Sequence, residues 1–436
     1  LLIVHCQLPT FMERRNFLTA LGLLTGGVLT GLRGSSLPSP DEVGYLDLPP
    51  GGDVWSVIRQ QFLFPEGYIY LNCGGIGTVP LHVRSLYADM WNQMERDPGA
   101  GYDSNRWRQV KIDMAPMLGK GIKHSELAFI SCATEGINII LNGLPLKKGD
   151  EVITSTHEHP AVYLPLINNI KRRGIVVKTF VPDIENGMNN LHNIQNLTTK
   201  KTRLIIFSHR TCTNGQLFPM KEIGEFARAN GIWYGLDGAQ APGSAPMDIV
   251  DWKTDFYTFS AHKWLLGPKR TGVLYVREEL LDTVETVTIG GFSSKSYNLA
   301  EGKLELLDTA SRFEYGTQNP LLFFGLHESM KLISDLGLDR IKEYDEMLSE
   351  YFYEGLNRMP HVETVSPKER AYRTSMISFR IPGLKAGEIS ERMMQKGIKV
   401  RVVNESGLNA IRVSFHVFNN IDDADKALNS IDSIRA

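Results

Sequence analysis

Cysteine is scarce in this chain: four residues among 436, at positions 6, 73, 132 and 212, with no CxxC pair and no histidine cluster of metal-ligand spacing. A zinc ribbon or finger is thereby excluded, and no metal site is predicted. A disulfide framework is the device of much shorter secreted domains, so the cysteines read as buried free thiols. Charge of one sign is lacking as well. Lysine and arginine number 47 against 49 acidic residues, a net charge of -2 without a sustained basic block, which speaks against nucleic acid or an anionic membrane as partner. Nor is there a strongly apolar run of the roughly 20 residues that a membrane-spanning helix needs. The N-terminal candidate, Ala20 to Leu32, is diluted by Gly22, Gly26, Gly27 and Gly31. The folded body carries no internal repeat and no low-complexity tract. A balanced chain of this length predicts one large domain and a smaller one around a deep core, the build of a small-molecule enzyme.

What the N-terminal region does contain is Glu13-Arg14-Arg15-Asn16-Phe17-Leu18-Thr19 ahead of that mildly apolar run, followed by Arg33 and a Ser/Pro-rich stretch. This resembles a twin-arginine signal, read by a translocase that moves folded proteins. The expectation is export to the periplasm or beyond with that translocase as a transient partner, the cytoplasm being the alternative. No Ala-x-Ala cleavage site is visible, and Met12 is a candidate initiator that would leave residues 1–11 upstream. The organisation predicted is a signal region 1–34, a Pro/Gly/Ser/Asp-rich linker 35–54, a large domain 55–310 and a small C-terminal domain 311–436.

Within the body, Leu127–Ile130, Glu151–Ser155, Val176–Phe180, Arg203–Phe207, Ile232–Leu236, Phe256–Phe259 and Val273–Val276 read as strands. Helical segments 134–144, 161–173 and 220–230 alternate with them. Crossovers of this kind predict an α/β fold around a mostly parallel sheet. Beyond about Ser311 the pattern changes to long helices at 321–336 and 339–357, then short strands near 374–380 and 410–414, a smaller α+β domain.

The chemistry gathers where those strands end. Phe256-Tyr257-Thr258-Phe259-Ser260-Ala261-His262-Lys263 is an apolar strand delivering a lysine, and Ile232 to Asp237 is another delivering a carboxylate. A lysine amine condenses with the aldehyde of pyridoxal 5'-phosphate (PLP), and an aspartate keeps the pyridine nitrogen protonated. Lys253 and Lys269 are rival lysines, but they sit among charges or turn residues. A buried carboxylate at a strand end is costly unless it meets a cation such as a pyridinium. Ser131-Cys132-Ala133-Thr134-Glu135-Gly136 joins a strand to a helix start that suits a phosphate, and it reads equally as a plain capping box. In Thr156-His157-Glu158-His159-Pro160, His159 suits stacking on the ring better than metal binding, which lacks a third ligand. Ser208-His209-Arg210 and Thr213-Asn214-Gly215 supply further polar contacts, and Gln240 suits the phenolic oxygen of the cofactor.

The order of these motifs resembles the class V aminotransferase family of PLP enzymes, fold type I, from roughly Tyr68 to the C-terminus. The carrying residues include Ala133-Thr134-Glu135, Glu158-His159, Asp237 to Gln240, Ser260 to Lys263, Phe313 to Thr317 and Ile411-Arg412-Val413-Ser414. The resemblance implies that Ala133, Thr134, Ser260 and His262 serve the phosphate, His159 stacks, Asp237 pairs with the ring nitrogen and Lys263 forms the Schiff base. It further implies that Thr317 reaches the phosphate of a neighbouring subunit in a homodimer, while Arg412 grips the substrate carboxylate, with Asn72 also on the substrate side.

Tyr70 to Pro80 is similar to the opening segment of isopenicillin N epimerase-like proteins, so an amino-acid epimerase is the first expectation. Transaminase and C–S lyase are the alternatives. Cysteine desulfurases of the family carry a sulfur-accepting cysteine on a late loop, and here Arg401 to Ala410 contains none. His209 and Tyr163 are candidates for an acid on the opposite face of the substrate. A non-catalytic, exported PLP- or amino-acid-binding protein is the alternative of another class.

Overall fold

A computed structural model describes residues 53–99 and 101–435 of the chain. The signal region 1–34 and all but the last two residues of the linker 35–54 lie outside the described residues. The folded body begins at Asp53, whose carboxylate accepts from Trp55 N at 3.0 Å and caps helix α1 (Val54–Arg59). Strand β1 (Ile69–Tyr70) follows, then helices α2 (Leu81–Arg96) and α3 (Ser104–Leu118), neither of which is among the elements expected from sequence.

The alternation then unfolds as expected: β2 (Leu127–Ile130), α4 (Ala133–Gly143), β3 (Glu151–Ser155), α5 (Pro160–Arg173), β4 (Val176–Phe180), α6 (Asn189–Leu197), β5 (Thr202–Ser208), α7 (Met220–Ala229), β6 (Trp233–Asp237), β7 (Phe256–Ser260) and β8 (Gly272–Val276). The seven strands form one sheet in the order β2-β8-β7-β6-β5-β3-β4. Strands β3 to β7 run parallel. β8 is antiparallel to both β7 and β2, because only residues 261–271 separate β7 from β8, too few for a crossover helix. Helices cover the sheet, and strands β2, β3, β7 and β8 are buried at every position. Ile137, Ile140 and Leu141 of α4 and Val162 and Leu166 of α5 share one core with Val152, Leu204, Phe256 and Leu274 of the sheet.

A hairpin, β9 (Ser294–Asn298) and β10 (Lys303–Leu306), precedes α8 (Pro320–Leu336), which packs on α2 and α3. The second lobe follows: α9 (Leu338–Asn357), β11 (Glu363–Thr364), β12 (Met376–Arg380), α10 (Ala386–Met394), β13 (Ile398–Lys399), β14 (Arg401–Val403), β15 (Ala410–Ser414) and α11 (Ile421–Asp432). Four of its strands make an antiparallel sheet, β11-β12-β15-β14. Its core draws on Leu348 and Phe352 of α9, Phe379, Ile411 and Ile431, and also on Ile69 and Leu71 from the start of the body. That N-terminal segment pairs Ile69 with Ile398, then bridges Asn72 to Ser414. It therefore leaves the second lobe close to Arg412 and runs on toward the lysine of the first.

Phe352 is fully buried, with ring centroids 6.4 Å from Phe379 and 5.4 Å from Phe415. Phe352→Ala should destabilise the protein by about 3–5 kcal/mol in urea unfolding, the cost of a large unfilled cavity. A loss below about 1 kcal/mol would show that this core is not the one that holds the lobe.

Candidate active site

In a parallel sheet the strand ends share one edge, so polar residues far apart in sequence are delivered to one place. Here β5 ends at Ser208, β6 at Asp237 and β7 at Ser260, while β3 leads into the turn carrying His159. A cavity of about 230 Å³ at this edge is lined by Ala133, Thr134, His159, Asp237, Gln240, Ser260, His262 and Lys263, together with Ser208, Arg210 and Cys212.

Asp237 is 3 % exposed, and its Oδ1 accepts from Ala239 N at 2.9 Å. Burial raises its pKa, and the Ala239 N–H and the Lys263 charge oppose that rise. Lys263 moves the other way: burial lowers its pKa and Asp237 partly restores it. A lysine biased toward its neutral amine is the nucleophilic form. His159 caps α5 by accepting from Ala161 N at Nδ1, 3.1 Å, which places the ring proton on Nε2. Burial and then the Lys263 charge bring its pKa down to about 4, so the ring is neutral at pH 7.

Ser260 Oγ accepts from Ala133 N at 3.0 Å and so ties β7 to the start of α4. The helix is capped by Cys132 without a side-chain cap bond, so the plain capping box expected at Ser131 or Thr134 does not form; instead Ser131 N and Oγ donate to Glu135 Oε2 at 2.7 and 2.6 Å. The close approach of α4 to β7 needs Gly136, where a Cβ would lie 2.0 Å from Thr258 Oγ1. Gln240 is held at both ends of its amide, donating to Gly74 O and accepting from Trp264 Nε1, each at 2.9 Å.

The turn carrying Lys263 is gripped through three successive carbonyls. His262 O accepts from Gly77 N at 2.8 Å, Lys263 O from the Cys73 thiol at 3.6 Å and Trp264 O from His416 Nε2 at 2.9 Å. A carbonyl only accepts, so His416 carries its proton on Nε2, and its Nδ1 meets Asp345 of α9 at 3.0 Å. The N-terminal segment and the second lobe thus position the backbone on either side of the lysine. No short-range signal in the sequence marks Cys73, Asp345 or His416 for this task.

Other candidates fall outside the cavity. Arg412 is fully buried behind its wall, donating from Nη1 to Cys212 O at 2.6 Å and from Nη2 to Asn72 Oδ1 at 3.3 Å, with Nε unpartnered. Burial, then the neighbouring Arg401, lowers its pKa to about 9. Thr317 is exposed on a second cavity that shares Cys132 and Thr134 with the first. The two suggested opposite-face acids require correction, since neither lines the cavity. His209 Nδ1 lies 2.9 Å from Tyr257 Oη with the ring edge-on to Trp252, and Tyr163 Oη donates to Ser155 O at 3.2 Å. Both polar groups are already engaged by the protein. His157 and His159 diverge as well, His157 Nδ1 sitting 3.0 Å from Thr213 Oγ1. Glu158 between them is buried, accepts from Ser155 Oγ and, at 2.6 Å, from Ser208 Oγ, and is raised to about 7 chiefly by burial.

The donor set suits PLP. A buried carboxylate awaits a cation, the His262 Nδ1 atom lacks a partner, a helix start opens on the cavity, and a lysine lies opposite the carboxylate. Fold and site together define a PLP enzyme of fold type I.

The sequence profile of the aminotransferase class-V family matches residues 106–427. The chain belongs to that family. A probable cysteine desulfurase of Pyrococcus abyssi is 28% identical over 320 residues, 71% of this chain and 79% of that protein. A cysteine desulfurase of Escherichia coli O8 is 30% identical over 321 residues, covering 71% and 78% respectively. Among solved structures, the apo cysteine desulfurase of Thermococcus onnurineus NA1 superposes with a TM-score of 0.78 at 25% identity over 86% of this chain and 97% of its own. A cystine C–S lyase bound to its product cysteine persulfide gives 0.77 at 25% identity over 84% and 98%. These relatives are desulfurases and a lyase, so the epimerase subgroup expected from Tyr70 to Pro80 is not supported.

The grip on the lysine turn leaves no room at Gly77, where a Cβ would sit 2.1 Å from Lys263 O, a backbone atom that cannot swing aside. Gly77→Ala should therefore shift the lysine turn and lower PLP affinity by roughly tenfold or more in equilibrium dialysis, the cost of a displaced anchoring group. Unchanged affinity would show that the turn tolerates the shift.

His157 is held neutral down to about pH 4 by burial, against an ordinary 6.5. Between these values the unfolded chain binds more protons, so stability falls as pH drops through that window. His157→Asn should lessen the fall by on the order of 2 kcal/mol in urea titrations at pH 7 and pH 4.5. A fall as steep as that of the parent protein would remove His157 from the account.

Proposed function

We propose that this PLP enzyme is a C–S lyase that splits a sulfur-bearing L-amino acid, with a disulfide such as L-cystine as the favoured substrate. The observation that carries this reading is the pairing of Lys263 and Asp237 in one cavity with a late segment, Arg401 to Ala410, that contains no cysteine. Cys212 lines the cavity, but burial lifts its thiol to about 11, which leaves it protonated and a weak nucleophile at neutral pH. Without an acceptor thiol the sulfur must depart as an anion. A perthiolate leaving from a disulfide is a weaker base than sulfide leaving from cysteine, and weaker bases leave faster. The desulfurase relatives and the lyase bound to cysteine persulfide support the same class of bond cleavage.

When bound, PLP supplies the electron sink that stabilises negative charge at the substrate α-carbon. The protein's own residues do the rest. Arg412 lies directly behind the Cys212 carbonyl of the cavity wall, with Asn72 orienting its guanidinium, and would grip the α-carboxylate once substrate binding displaces that carbonyl. The Lys263 amine, neutral once freed, takes the α-proton, and Asp237 supplies the negative charge that keeps the pyridine nitrogen protonated. The His159 ring, neutral at pH 7, would stack on the cofactor without adding a competing cation. The start of α4 with Thr134, Ser260 and His262 holds the phosphate. Thr317, exposed on a cavity that Thr134 also lines, would serve the phosphate of a second copy in a homodimer.

Purified holoenzyme given L-cystine should release pyruvate, ammonia and cysteine persulfide. Lys263→Ala should abolish turnover, and Asp237→Asn should reduce kcat by roughly a hundredfold or more, the usual loss of a charge aimed at the reacting centre. Alanine with a persulfide on the protein would replace this reading by desulfuration, and a keto acid with pyridoxamine would replace it by transamination.

A further inference from the structure

Strands β14 and β15 place Arg401 opposite Arg412 on one face of the second-lobe sheet. Both guanidinium groups donate to a single acceptor, the Cys212 carbonyl, at 3.2 Å from Arg401 Nη1 and 2.6 Å from Arg412 Nη1. Cys212 is itself part of the cavity wall. One carbonyl oxygen does not neutralise two cations, and only Arg401 has a carboxylate: its Nη2 donates to Glu405 Oε1, four residues along the chain. Arg412 has no such partner among the described residues, only Asn72 and the shared carbonyl. The turn that carries Glu405 is constrained, with Ser406 at φ 55° and Asn409 at φ 46°, both in the left-handed region that non-glycine residues rarely adopt. Ser406 Oγ donates to Thr156 O, which pins this turn over the segment leading to His159. Glu405 also interacts electrostatically with His159.

We propose that Glu405 is a specificity-determining residue: by occupying Arg401 it leaves Arg412 as a single carboxylate anchor and disfavours substrates with a second acidic group close to the first. This rests on the reading of Arg412 as the anchor. Two donors on one oxygen lie within roughly 6 Å of each other, a span that suits the two carboxylates of a four-carbon diacid. In the native protein the Glu405 charge fills the position of the second carboxylate and repels a competitor. Neutralising Glu405 without changing its shape releases Arg401 to bind it. The enzyme would therefore take neutral or zwitterionic side chains, and a single substitution would open it to acidic ones.

The test is calorimetric titration of PLP-loaded enzyme with succinate and with butyrate, which reads binding without turnover. Glu405→Gln should bind succinate roughly tenfold or more tighter than the parent, the worth of one added charge-assisted contact, while butyrate stays within about twofold. Adding Arg401→Gln to that variant should cancel the gain. If succinate and butyrate change together, or succinate does not improve, the proposal is wrong. Arg412→Lys should weaken both ligands; if it weakens neither, the anchor reading fails and the proposal with it. The lyase reading is tested separately by pyruvate release from L-cystine, so failure of one does not imitate failure of the other.

Discussion

The Asp237 carboxylate sets the terms for the rest of the molecule. It sits at the end of a strand whose burial leaves it almost no water, and its protein partner is a backbone N–H. Such a group is tolerable where a cation comes to meet it. Lys263 supplies part of that compensation in the protein alone, and the proposed pyridinium partner would supply the rest. Much of the surrounding structure maintains this confrontation. The parallel sheet brings β6 and β7 side by side, Ser260 fastens β7 to the start of α4 that opens on the cavity, and the lysine turn is held from outside the large lobe.

That outside support explains why the second lobe is more than a lid. His416, reached only after β15, donates to the carbonyl next to Lys263 and is itself braced by Asp345 on α9. The N-terminal segment adds Gly77 and Cys73 from the opposite direction after threading the second-lobe core with Ile69 and Leu71. Two distant stretches of chain therefore converge on one lysine turn, and a third braces one of them. Arg412 and Asn72 come from the same two regions, so the lysine turn and the proposed carboxylate anchor share their scaffolding.

Much of this architecture is legible in the residues alone. Most of the strand runs are visible because burial on both faces leaves continuous apolar stretches ended by turn residues, whereas the edge strand β4 is largely exposed and shows through its Val176-Val177 pair. Lys263, Asp237, His159 and Thr134 stand out because polar residues immediately after such runs fall on one edge of a parallel sheet. The reversed strand β8 is less visible, since its direction depends on connector length rather than on strand composition. Helix α2 lacks a clear start, beginning at a Pro80 cap with no side-chain bond, while α3 is bounded by an Asp103 cap and Gly119 but carries Pro116 inside, which obscures its helical pattern. His209 and Tyr163 mislead because proximity in sequence to a strand end does not say whether a side chain enters the cavity or turns to a protein partner. The subgroup suggested by Tyr70 to Pro80 misleads for a related reason: much of that segment supports the lysine turn and the arginine, a task that does not depend on which bond the enzyme breaks.

The chain by itself determined the cofactor class and the succession of strands and helices in the large domain, because apolar periodicity and the residue types at strand ends are local properties written along the sequence. Only the tertiary structure decided what surrounds them. Arg401, Arg412 and Cys212 meet across nearly half the chain, and Glu405 gains its meaning from that meeting. Hydrogen bonds to backbone carbonyls, such as those on His262, Lys263, Trp264 and Cys212, leave no mark on residue identity at the acceptor, since every residue carries the same carbonyl. The lysine announces the chemistry, and the acceptors that hold it in place become visible when the chain is folded.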